Sequence, residues 1–149
     1  MLKYQGREDI GVFLGRQFGL ELKSSELYKP ITAIIPVPLH PKRFKERGYN
    51  QAEAIARGLS EAMGVPVVTD VLLRNIYTQT QTKKTRMERM QNIAGAFTIC
   101  NPEKIEGGHV LLVDDVITTG ATLETCTQTL IDSVNVKVSV GTLAYATNT

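Results

Sequence analysis

Ile10, Phe13, Leu14 and Phe18 recur at helical spacing with Gly19 after them, which predicts an N-terminal helix over Glu8 to Phe18. A polar stretch, Lys23 to Pro30, then leads to Ile31–Ile35. That run is short and β-branched and is closed by Pro36, so it reads as a buried strand. Asn50, with Glu53 three residues on, has the form of a helix entrance. Ala52, Ile55, Ala56, Leu59, Ala62 and Met63 then share one helical face, and Gly64 and Pro66 end the helix. Val71 to Leu73 is a short strand. Arg74 to Asn92 is polar and basic, with Met87 and Met90 at helical spacing, and Ala96 to Ile99 is a second brief strand. Asn101 to Gly108 has turn composition, and His109 to Val113 is another buried strand. Leu123, Cys126, Leu130 and Ile131 mark a helix, and Val136, Val138 and Val140 alternate as in a half-covered strand.

Strands alternating with helices require crossover connections, so the class is α/β with a mostly parallel sheet. The 149 residues make one domain, 1–149, with 1–30 as helix and lead-in. A formal net charge of +2 gives no basis for nucleic-acid binding by bulk charge. The absence of Trp and the scarcity of aromatics argue against stacking on single strands. No apolar run is long enough to span a bilayer and there is no signal-peptide core, so a cytoplasmic location and no membrane span are expected. Cys100 and Cys126 form no C-x-x-C pair and no His pair has ligand spacing, so no zinc site is expected. Cys126 falls on an apolar face, as a small buried hydrophobe does.

The chemistry concentrates in Val110–Thr122, VLLVDDVITTGAT. An apolar strand runs into Asp114 and Asp115, and Thr118, Thr119, Gly120, Ala121 and Thr122 then open a helix. In an open α/β sheet, ligands sit beyond the carboxyl ends of the strands. At a helix start the free N–H groups and the dipole favour an anion. Threonine hydroxyls add donors, and Gly120 allows close approach of the backbone. Two carboxylates beside a phosphate repel it, unless they accept hydrogen bonds from sugar hydroxyls and a Mg²⁺ offsets their charge. A phosphate loop joined to a diol-binding acidic pair describes a ribose 5-phosphate site. Neither the G-x-x-x-x-G-K-[ST] nor the G-x-G-x-x-G pattern is present.

Two basic segments could serve such a site. Pro36, Val37, Pro38, Leu39, His40, Pro41, Lys42 and Arg43 leave a strand in a proline-stiffened loop, followed by Lys45 and Arg47. Lys42, Arg43 and Arg47 could meet a pyrophosphate there, an arginine as a bidentate clamp. Thr80 to Arg89, with Gln81, Lys83, Lys84 and Arg86, has the composition of a lid that closes over phosphate.

The Val110–Thr122 string resembles the phosphoribosyl-pyrophosphate signature of type I phosphoribosyltransferases. Over most of its length the chain is similar to the ComF family of competence-related members of that class. The matching pieces are PVPLHPKR (Pro36–Arg43), RGYNQA (Arg47–Ala52), the spaced Arg74, Gln81, Arg86 and Asn92, GAF (Gly95–Phe97), the signature, and LKYQGR (Leu2–Arg7). The resemblance implies the type I fold: a mostly parallel five-stranded sheet flanked by helices, with a small hood. It also implies that Asp114 and Asp115 hold the ribose hydroxyls and that Thr118–Thr122 hold the 5-phosphate. The family's N-terminal zinc ribbon has no counterpart in this sequence.

The expected ligand is phosphoribosyl pyrophosphate or a related ribose 5-phosphate, with Mg²⁺ bound through the ligand's pyrophosphate and ribose. In a transfer reaction Lys42, Arg43, Lys84 and Arg86 are the candidate catalytic groups, stabilising charge on the leaving pyrophosphate. Pro38, Leu39, His40 and Arg47 complete the pyrophosphate loop. The acceptor is not legible, since only Tyr49, Tyr77 and Tyr145 could stack a base. A ligand-sensing or adaptor domain in DNA uptake, working with competence proteins and without turnover, is the alternative, because binding a ground state accelerates nothing.

Overall fold

A computed structural model describes residues 2–39, 49–75, 96–117 and 120–145. The elements are α1 (Leu2–Lys23), β1 (Ala33–Pro36), α2 (Gln51–Met63), β2 (Leu72–Arg74), β3 (Phe97–Ile99), β4 (His109–Ile117), α3 (Ala121–Ser133) and β5 (Lys137–Tyr145). β1, β4 and β5 form a parallel sheet with β4 in the centre. Val67 adds a parallel bridge to Ile34 on the free side of β1. β2 and β3 pair antiparallel as a separate two-stranded ribbon. The five strands therefore divide three and two among the described residues.

The sheet is buried on both faces because β1 is apolar throughout and β4 is apolar from Val110 to Val113. Ala33, Ile35, Val110 and Leu112 point to one side, where they pack with Leu123, Cys126 and Leu130 of α3 and with Leu72 and Phe97 of the ribbon. Ile34, Leu111 and Val113 point to the other, against Leu22 of α1 and Ile55 and Leu59 of α2. Cys126 is fully buried, as its apolar setting in the sequence predicts.

α2 follows its sequence signals closely. The Asn50 carboxamide oxygen accepts the Ala52 N–H at 2.9 Å, and its Nδ2 donates to the Val37 carbonyl at 3.1 Å. One side chain thus caps the helix and ties its entrance to the end of β1. At the far end Gly64 takes φ 70° and donates its N–H to the Ser60 carbonyl, a left-handed cap that glycine adopts without strain.

α1 departs from expectation. It extends from Leu2 to Lys23 and runs straight through Gly19. Gly15 and Gly19 are buried, whereas Ile10, Phe13 and Leu14, which reveal the helix in the sequence, are exposed. Gly15 and Gly58 let the two helix backbones touch: a Cβ on Gly15 would lie 2.1 Å from the Ile55 carbonyl oxygen, and one on Gly58 2.1 Å from that of Val12. Glycine here serves close packing and does not end the helix. Arg16–Glu61 at 2.6 Å and Arg57–Glu8 flank the contact as exposed ion pairs of small energetic weight.

β4 also exceeds its predicted end. It continues past Val113 to Ile117, because β5 offers a partner at Asp114↔Thr142, Val116↔Ala144 and Ile117↔Tyr145. Val140 and Ile131 are exposed, so β5 and the outer face of α3 are less covered than their apolar pattern suggests.

Candidate functional site

The acidic pair lies on the carboxyl-terminal half of the central strand, with Asp115 five residues before Gly120, which precedes α3. Strand pairing fixes its surroundings. The Val37 N–H donates to the Val113 carbonyl at 2.8 Å, so the chain leaves β1 as Pro38 and Leu39 beside the point where Asp114 begins. Thr142 of β5 closes the other side, its hydroxyl donating to the Asp115 carbonyl at 3.0 Å. The pyrophosphate-loop candidates Pro38 and Leu39 and the ribose-binding candidates Asp114 and Asp115 thus share one edge of the sheet, the edge where α/β folds bind ligands. Pro36, Pro38, Leu39, Asn50, Glu53, Thr69 and Leu72 line a cleft of about 360 Å³ at this edge.

Both carboxylates are half-buried and turned onto the local backbone. Asp114 Oδ1 accepts the Asp115 N–H at 2.9 Å, and Asp115 Oδ1 accepts the Val116 N–H at 2.9 Å. Burial pushes the Asp114 carboxyl up to about 7, and hydrogen bonding to the Asp115 side chain and the charge of Asp115 add to this. The Asp115 backbone N–H and the charge of Arg74 oppose the rise without cancelling it. A proton is therefore held at the pair near neutrality, and a ligand or cation needing both charges must displace it.

Gly120 precedes α3 with φ 80°, and open space surrounds the position a Cβ would take. No side chain from this N-cap residue reaches the first turn. Glu124 donates to the Gly120 carbonyl at 2.9 Å and so closes the first helical turn, with Ala121 and Thr122 exposed at its start. The start of an α-helix carries N–H groups with no intrahelical partner and the positive end of the dipole. Thr118, Thr119, His40, Lys42, Arg43, Arg47, Lys84 and Arg86, all named from the sequence, lie outside the described residues.

Arg74 is the residue that sequence reading passed over as a site group. It ends β2, its guanidinium carbon lies 5.3 Å from the Phe97 ring centroid, and its charge acts on both Asp114 and Cys126. Its signal in the sequence was a cation directly after a short apolar strand. Burial, and then the Asp114 charge, push the Cys126 thiol up to about 12, so it is no thiolate. His109 opens β4 at the opposite edge of the sheet, where its Nε2 lies 2.7 Å from Ser139 Oγ. A cleft of about 580 Å³ near His109, Thr32 and Lys137 lies at that far edge, away from the acidic pair.

A parallel sheet whose central strand carries an acidic pair ahead of a glycine-led helix defines a class, and comparison with known proteins agrees. Residues 45–148 match the phosphoribosyl transferase domain family, and the chain belongs to that family. Competence protein F of Haemophilus influenzae is 38% identical over 104 residues, covering 69% of this chain and 45% of the relative. DNA utilization protein YhgH of Escherichia coli is 31% identical over 134 residues, covering 87% and 58%. These relatives place the chain on the ComF branch that its motifs resemble, and the chain spans about half their length. A glutamine phosphoribosylpyrophosphate amidotransferase from Bacillus subtilis, solved with ADP and GMP, shares the fold with TM-score 0.64 at 21% identity, covering 91% of this chain and 26% of that one. No helix among the described residues is long and apolar enough to cross a membrane.

Proposed function

We propose that this domain binds phosphoribosyl pyrophosphate with Mg²⁺ and transfers the phosphoribosyl group to a nucleophilic acceptor. The observation that carries the reading is the junction of β4 with α3, where two half-buried carboxylates and a glycine-led helix start follow one another along the sheet's carboxyl edge. The 5-phosphate takes the helix start, and the ribose 2- and 3-hydroxyls donate to Asp114 and Asp115. Transfer breaks the bond from C1 to the pyrophosphate oxygen, whose electron pair leaves with pyrophosphate. A lone pair on the acceptor forms the new bond to C1, and the acceptor's proton passes to solvent. Cations of the loop after Leu39 and of the Thr80–Arg89 segment stabilise the leaving charge.

The donor set suits Mg²⁺, a hard cation that prefers oxygen ligands. No group of three or more His, Cys, Asp or Glu side chains able to hold a metal occurs among the described residues. Mg²⁺ would therefore be held through the ligand's pyrophosphate and ribose oxygens and water, with the two carboxylates close by through the ribose. When bound, Mg²⁺ would screen the acids from the phosphates and neutralise charge on the leaving group.

Competition tests the site: ribose 5-phosphate should displace phosphoribosyl pyrophosphate, and inability to compete would remove the sugar-phosphate reading. A second reading is favoured by the names of the relatives, which speak of competence and DNA utilization: a ligand-gated adaptor without turnover. Pyrophosphate release across a panel of nitrogenous bases separates the two. Release with any base supports transfer, and tight binding with no release supports the adaptor.

A further inference from the structure

α1 carries two apolar faces, and the fold covers one of them. Gly11, Gly15, Gly19 and Leu22 face α2 and the sheet. On the opposite face, by helical spacing, Ile10, Phe13, Leu14 and Leu20 lie in one stripe and are 59%, 54%, 41% and 51% exposed. A stripe of exposed large apolar residues on a monomer surface marks a contact surface.

The charges beside the stripe specify the occupant. Gln17 is an exposed polar residue within it. Asp9 and Lys23 sit on the same flank, near opposite ends, and neither takes part in the ion pairs found among the described residues. A two-fold axis passing by Gln17 and perpendicular to two antiparallel α1 helices keeps each flank on its own side. It sets Asp9 of one copy beside Lys23 of the other, twice by symmetry, and lays Phe13 against Leu20 of the facing helix, also twice. The two Gln17 amides then meet at the axis, where a polar pair fixes register.

We propose that a second copy of this chain occupies the outer face of α1, as an antiparallel, two-fold symmetric helix pair centred on Gln17. This assembly is independent of the ligand reading.

Sedimentation velocity across a concentration series tests it. The wild-type chain should show a concentration-dependent dimer. Phe13→Glu should weaken the dimer roughly tenfold or more, since it places a charge in the apolar centre of the contact. Asp9→Lys should weaken it about two- to fivefold through two like-charged contacts, and Asp9→Lys with Lys23→Asp should return it to within about twofold of wild type. The charge variants guard against a fold defect, since both positions are exposed and unpaired in the ion pairs described. A monomer at every concentration, a dimer indifferent to Phe13→Glu, or a double swap no stronger than Asp9→Lys alone would each overturn the proposal.

Discussion

Two helices of this domain begin at the same edge of the same sheet and begin differently. α2 starts after β1 with Asn50, whose side chain occupies the first turn and anchors it to the Val37 carbonyl. α3 starts after β4 with Gly120, which has no side chain to offer and holds its backbone at φ 80°. The first entrance is closed by the side chain of its own cap residue, and the second receives no side chain from its cap residue. The acids separate them further, since Asp114 and Asp115 precede the glycine-led entrance and the basic stretch Lys42–Arg47 precedes the asparagine-capped one. A side-chain cap is a device for stability, and a glycine in its place, after a strand whose Asp114 carboxyl is pushed up to about 7, gives up that stability at the edge proposed to hold a ligand.

The largest effect should come from removing the acids. Asp114→Asn with Asp115→Asn should lower affinity for Mg²⁺-phosphoribosyl pyrophosphate by about a hundredfold or more, since two or more charge-assisted bonds are lost, with circular dichroism unchanged. Undiminished affinity in a calorimeter would remove the ribose contact from the account.

The pH dependence is the next test. The folded carboxyl of Asp114 stands near 7 against an ordinary value of 3.8. Protonated Asp114 is thus the form the empty fold tolerates, and its contribution to stability is present below about pH 4 and lost as pH rises through 7. Denaturant titrations should therefore show Asp114→Asn more stable than wild type at pH 8, by roughly 1–2 kcal/mol after allowance for solvent screening of a half-buried group. The two proteins should converge near pH 4. Ligand affinity in the wild type should run the other way, falling as pH drops through 7.

Two glycines make a matched pair. Gly64 and Gly120 have φ 70° and 80°, and a Cβ at either meets open space. Alanine at each should therefore cost a similar amount of stability, about 1 kcal/mol from backbone strain alone. Only Gly120→Ala should also weaken phosphate binding, and equal binding by both variants would erase the contrast between the entrances. The smallest effect is expected from Asn50→Ala, which should cost about 1 kcal/mol in urea melts with ligand affinity kept.

Much of the architecture was legible because it rests on local rules. Asn50, Gly64 and the spaced residues of α2 act within a few positions of one another, so the sequence alone marks that helix. The strands Ile31–Ile35 and His109–Val113 were visible as apolar runs because both sheet faces are covered. α1 misled because its buried face is made of glycines, which carry no hydrophobic signal, while its visible apolar residues point outward. The length of β4 was hidden for a different reason. Asp114–Ile117 has turn-like beginnings, and only pairing with β5 keeps it extended. The acidic pair and the glycine were found from their spacing, which is covalent information. Arg74 was missed because its relation to Asp114 depends on how a separate two-stranded ribbon packs against α3.

Calorimetric titration with phosphoribosyl pyrophosphate, with and without Mg²⁺, bears most directly on the β4–α3 junction. Saturable one-to-one heat that strengthens when Mg²⁺ is added at pH 8 is the predicted result. No heat with Mg²⁺ present, from protein whose fold is intact, would contradict it.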